Sequence, residues 1–176
     1  MSSKPPTVAP PDDDGTAQAA ALSTHLDARG QVRMVDVGAK QHTTRVARAS
    51  ALVRMSAATV QRLRDGATHK GEVLATARIA GIMAAKRTSE LIPLCHGVAL
   101  TRVALELAVT DEGVALEATA EAHDRTGVEM EAMTAATVAA LTLYDMLKGT
   151  ERGITIERVA LEEKSGGRSG HWRRER

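Results

Sequence analysis

The hydrophobic period of the chain switches between two and about 3.6 in a fixed order, and that order constrains the fold more than any single motif. Residues 43 to 55 place Ala47, Ala49, Ala51, Val53 and Met55 on one face of a strand. Ser56 then supplies a helix N-cap, and a short helix is expected to about Asp65. A longer helix over 72 to 87 carries Val73, Ala77, Ile79, Ala80 and Met83 at helical spacing. Val103, Leu105, Leu107 and Val109 alternate again. Asp111, Glu112 and Gly113 turn the chain into a second alternating run, from Val114 through Leu116, Ala118 and Ala120 to Ala122, which predicts a β-hairpin. Thr126 and Glu129 have capping-box spacing at the head of a helix running to about Lys148. Gly149 to Gly153 precede a last strand containing Ile154 and Ile156. With the short helix as an addition, the order is β-α-β-β-α-β. It predicts an α+β, ferredoxin-like core: an antiparallel sheet with helices on one face.

Composition decides what fills that core. One Trp, one Tyr and no Phe leave Ala, Val, Leu, Ile and Met to do it. The same scarcity removes the stacking platforms on which single-stranded nucleic acid and most RNA are read. Lys plus Arg number 23 against 22 Asp plus Glu, a net charge of +1 that gives no global attraction to nucleic acid or to an anionic membrane. No apolar run approaches the roughly 20 residues of a membrane span, and the start lacks the basic-then-apolar order of a signal peptide. The lone cysteine, Cys95, has no intrachain disulfide partner and suits a reducing compartment, so a cytoplasmic protein is expected. Residues 1–30, rich in Pro and Asp, read as a disordered extension, 31–163 as a single domain, and 164–176 as a flexible Gly/Arg-rich tail. An aliphatic sheet under Ala-rich helices leaves apolar faces on a small subunit, which favours a homo-oligomer.

Polar residues interrupt these elements at their ends. Lys70, in the loop before the long helix, suits a phosphate, or simply a solvated loop. Cys95 and His96 close the stretch LIPLCH (91 to 96). Zinc would need about four ligands and no second Cys or spaced His pair accompanies them, so proton transfer or hydrogen bonding to a substrate suits His96 better. Glu129 has a structural explanation as the capping-box partner of Thr126. Asp145 and Lys148, three apart on one helical face, form either an ordinary ion pair or an aspartate kept ionised beside a reacting hydroxyl.

Six stretches in order, MVDVGAK (34 to 40), HKGEVLATARIAGIMAAKRT (69 to 88), LIPLCH (91 to 96), TGVEMEA (126 to 132), LTLYDMLK (141 to 148) and KSGGRSG (164 to 170), together resemble the MoaC family of molybdenum cofactor biosynthesis. The resemblance implies a ferredoxin-like hexamer, a trimer of dimers. It also implies a phosphorus–oxygen lyase that turns 3′,8-cyclo-7,8-dihydroguanosine 5′-triphosphate into cyclic pyranopterin monophosphate and pyrophosphate. Nothing in the residues requires a redox cofactor, so no cofactor is expected, and no residue is assigned as a metal ligand. By the family's pattern Asp145, with Lys148 and His96, carries the proton chemistry. Leu94, Cys95, His96, Met130 and Glu131 line the substrate, and Lys70, Arg45 and Lys164 join the charged pocket. Gly97 stands where the family often has proline, and Arg125 where many members have lysine. His123 and Asp124, just upstream, fall outside the matched stretches. The runner-up is a non-enzymatic module that binds a nucleotide or other anion with the same basic residues. Glu131 and Asp145 beside the lysines would oppose such binding, which favours catalysis. Glu131 and Asp145 lie fourteen residues apart on one helix, about 21 Å along its axis, so a pocket shared between two subunits is expected.

Overall fold

The computed structural model describes residues 29–68 and 70–175. The extension expected over residues 1–30 therefore lies, but for its last two residues, outside the described part. Within the compact unit that begins at Asp36, the elements in chain order are β1 (Thr43–Arg54), α1 (Ala57–Arg64), α2 (Val73–Ala85), α3 (Thr88–Leu91), β2 (Leu100–Val109), β3 (Gly113–Asp124), α4 (Glu129–Leu147), β4 (Thr155–Ser165) and β5 (Trp172–Arg173). Strand order across the single five-stranded sheet is β2-β3-β1-β4-β5, and all neighbours are antiparallel. The first four strands reproduce the split β-α-β plan, and β5 extends it by one short strand.

The alternation read from the sequence becomes register. Ala47, Ala49, Ala51 and Val53 of β1 face Ala120, Ala118, Leu116 and Val114 of β3, and all eight are buried. Arg48, Arg54 and Glu117 alternate with them on the opposite, solvated face. The inner face is covered by α4, whose Ala132, Ala135, Ala136, Ala139, Ala140 and Leu143 are fully buried. Small side chains on both layers let backbone approach backbone, which is how a core without Phe fills its space. Gly81 of α2 marks a close approach: a Cβ there would sit 2.5 Å from Leu105 Cδ2 and 2.8 Å from the Ala135 carbonyl oxygen. The β2–β3 turn needs its glycine too. Gly113 has φ +146°, and an added Cβ would lie 2.0 Å from the Val53 carbonyl oxygen.

Ser56 caps α1 as expected, its hydroxyl accepting from the Thr59 N–H at 3.4 Å. Glu151 holds that cap from outside, accepting from the Ser56 hydroxyl at 2.7 Å. Two expectations are corrected. The Thr126–Glu129 capping box does not form: the N-cap is Val128 and no side chain caps it. The helix starts at Glu129, after the buried Val128, and the Glu129 carboxylate turns to the Lys164 ammonium 3.2 Å away. The segment expected as a flexible tail begins inside β4. It returns as β5, with Trp172 opposite Lys164 and Arg173 opposite Glu163. The turn between them uses Gly166, Gly167 and Gly170, all at positive φ.

Candidate active site

The fold gathers the singled-out residues at the two ends of α4. At its C-terminal end Asp145 bridges two lysines from different elements. Lys148 Nζ lies 2.7 Å from Asp145 Oδ1, one helical turn away. Lys70 Nζ, carried by the loop before α2, lies 2.9 Å from Asp145 Oδ2 and donates to the Asp145 carbonyl at 2.9 Å. All three side chains are about half exposed, so the bridge faces solvent. The Lys148 and Lys70 ammonium groups hold the Asp145 carboxyl well below its ordinary value, at about 2, and the same carboxylate raises the Lys148 pKa. The cluster is thus an ionised carboxylate under two cations, with one positive charge in excess.

At the N-terminal end of α4 the chemistry is drier. Glu131 is only 2% exposed, and its Oε2 is buried without a hydrogen-bond partner. Burial pushes its pKa up, and the charges of Glu129 and Asp124 add to that, against the opposing pull of its own backbone N–H and of Cys95. The loop 92–99 brings Cys95 Sγ to 3.7 Å from Glu131 Oε1. Burial first, and then Glu131, push the thiol up to about 11, so Cys95 is held as a neutral thiol at neutral pH. His96 Nε2 is also buried and unpartnered. Leu94 is half-buried in the same loop, while Met130, next to Glu131, is exposed. Lys164 closes this end from β4, between Glu129 and the Ser169 hydroxyl, which accepts at 2.6 Å.

Set against these positions, the comparisons decide the family. The model of the MoaC family matches residues 34–167. The chain belongs to the MoaC family. It is 58% identical over 154 residues to the cyclic pyranopterin monophosphate synthase of Thermomicrobium roseum, covering 86% of this chain and 93% of that one. It is 54% identical over 151 residues to the protein of the same name from Streptomyces avermitilis, covering 86% and 89%.

Arg45 departs from the simple picture of a MoaC pocket cation. Its Nε donates to the Asp124 carbonyl at 3.3 Å and its Nη2 to the Arg125 carbonyl at 3.2 Å, so the guanidinium is spent on backbone at the β3–α4 turn. Gly167 makes room for it, since a Cβ there would lie 1.6 Å from Arg45 Nη1. Arg125 is the cation with spare capacity, its Nε being buried without a partner. Neither Arg125 nor Asp124 stood among the expected site residues, and Glu129 was set aside as a cap. The available signal was position alone: an acidic and a basic residue, Asp124 and Arg125, in the short link between a strand and the helix bearing Glu131. Within one chain Glu131 and Asp145 remain fourteen residues apart on α4, about 21 Å along its axis.

Proposed function

We propose that the chain is a cyclic pyranopterin monophosphate synthase. It converts 3′,8-cyclo-7,8-dihydroguanosine 5′-triphosphate to cyclic pyranopterin monophosphate, with release of pyrophosphate. The observation that carries this reading is the 58% identity to a relative of that name, 93% of which the chain covers. The Lys70–Asp145–Lys148 bridge supports it chemically. A triphosphate carries several negative charges, and two half-exposed ammonium groups are suited to neutralise them. As phosphate oxygens engage the lysines, Asp145 loses the partners that depress its pKa and becomes a better proton carrier. Lys148 keeps its proton and donates toward the departing pyrophosphate. In this reading Leu94, Cys95, Met130 and Glu131 line the ring system, His96 moves or donates a proton there, and Lys164 supplies charge at that end, while Arg45 holds the β3–α4 turn.

The pocket is composite. Asp145, Lys148 and Lys70 of one copy meet the Cys95, His96 and Glu131 end of another, within a cytoplasmic hexamer arranged as a trimer of dimers. The exposed apolar residues of the helix layer, Leu141 at 56%, Ile79 at 59% and Met83 at 50%, support contact between copies.

The test is incubation of the purified protein with the cyclic guanosine triphosphate-derived substrate, followed by mass spectrometry. Pyranopterin and pyrophosphate in equal amounts are expected. Tight triphosphate binding by folded protein without turnover would instead make it an anion-binding module.

A further inference from the structure

The loop that carries Cys95 and His96 has little internal support. Within residues 92–99 the backbone hydrogen bonds are those of a tight turn: Cys95 N–H donates to the Ile92 carbonyl at 3.0 Å, and Leu100 N–H reaches back to Val98 at 3.0 Å. Among the described residues, two side chains outside residues 92–99 tether that loop. One is Glu131, whose carboxylate lies at the long thiol distance given above. The other is Asp124, the last residue of β3, whose Oδ2 accepts from the Ala99 N–H at 3.3 Å. The second carboxylate oxygen, Oδ1, accepts from the Arg125 N–H at 2.6 Å, so one side chain holds both the loop and the turn that starts α4. Arg45 fixes the same turn from below through the Asp124 and Arg125 carbonyls.

We propose that Asp124 is a positioning residue for the candidate active site: its carboxylate clamps the Cys95–His96 loop to the β3–α4 turn, setting His96 and Cys95 against Glu131. The geometry requires a carboxylate, because both oxygens face N–H donors. Asparagine would turn its amide NH₂ toward one of them, breaking one bond and adding a donor–donor clash. Burial raises the Asp124 pKa, but the Arg125 and Ala99 N–H groups, with His42 and Arg125 charges behind them, outweigh that and keep it ionised. A clamp of this kind acts through the loop it holds and touches no substrate.

Cys95 reports on the clamp directly, because it is the sole cysteine of the chain. In Asp124→Asn the rate of Cys95 alkylation by iodoacetamide at pH 8 is expected to rise at least 10-fold, with the melting transition still cooperative. The kinetic arm rests on the synthase reading: kcat is expected to fall about 10- to 100-fold with KM for the triphosphate substrate changed less than 3-fold, since the Lys70–Asp145–Lys148 end is untouched. Asp124→Ser, which keeps one short acceptor, is expected to fall between Asn and wild type in alkylation rate. Unchanged alkylation in folded Asp124→Asn overturns the clamp, whether activity is kept or lost. Failure of both variants to fold also overturns it, by making Asp124 a determinant of global stability. If the wild-type protein shows no turnover, the synthase reading fails while the alkylation arm still decides the clamp.

Discussion

In the free protein Asp145 is ionised at neutral pH, because two lysines hold its pKa at about 2. A carboxylate depressed in this way contributes stability above its unfolded value near 4, and the contribution disappears as pH falls toward 2. Asp145→Asn keeps the shape while removing the charge. It is expected to lower turnover at least 100-fold with little change in melting temperature at pH 7, because a half-exposed ion pair adds little to stability. Steady-state kinetics beside a thermal melt checks both halves. Cys95 behaves oppositely. Its thiol titrates near 11 when folded and near 9 when unfolded, so folding gains nothing from it below pH 9 and loses stability as pH rises from about 9 to 11. Alkylation of the native protein should therefore show a thiolate midpoint near 11, moving to about 9 in denaturant; a native midpoint at or below 9 would contradict the buried setting against Glu131. At this scale the sequence was least legible. Lys70, Asp145 and Lys148 could be singled out by type and spacing, but Asp124 works through backbone N–H groups, which leave no trace in side-chain patterns.

The elements follow from period and from size. Alternation in β1, β2 and β3 was readable because one face of the sheet is buried and the other is wet, so each strand carries its own register. The start of α4 was not readable from its capping pattern, because the Glu129 carboxylate pairs with Lys164 of β4 and no side chain caps the helix. The last strand was hidden for a different reason: Gly166, Gly167 and Gly170 look like a flexible tail, yet they make the turn that lets Trp172 pair with Lys164. Packing between α2 and α4 depends on Gly81. In Gly81→Ala the gain in helix propensity is about 1 kcal/mol, while overpacking against the fixed Ala135 carbonyl costs about 1–3 kcal/mol. Net destabilisation is expected, seen as a lower urea midpoint with an unchanged slope. The exposed edge of β2 is guarded by the same helix. Arg78 Nε donates to the Leu105 carbonyl at 3.0 Å and so occupies an acceptor that another strand would use.

For the whole molecule, α4 acts as a spacer. It sets a dry, acid-rich end and a wet, lysine-rich end about 21 Å apart, a distance fixed by helical rise. If two copies complete each pocket, inactive Asp145→Asn and inactive His96→Ala subunits should complement one another after exchange. Some pockets would then draw both intact halves from different chains. Activity recovered in mixed oligomers verified by mass spectrometry is the expected result, and none recovered would confine each site to one chain. The plan of the sheet and the separation of Glu131 from Asp145 along α4 were legible, because they follow from periodicity and helical rise. How copies meet is a matter of surface shape, and a single sequence does not spell that out.

The near-absence of aromatic residues also decides what light can see. Trp172 is the only tryptophan of the chain. It lies on β5 with 41% of its surface exposed, beside Lys164, with the Arg174 guanidinium 5.8 Å from its ring centroid. Its intrinsic fluorescence therefore watches the outermost strand and not the alanine-lined interior. A shift in that emission on adding a phosphate-bearing ligand would signal movement beside Lys164, with no label attached. An emission change during denaturation would time the peeling of β5, and circular dichroism would be needed to time the loss of the core.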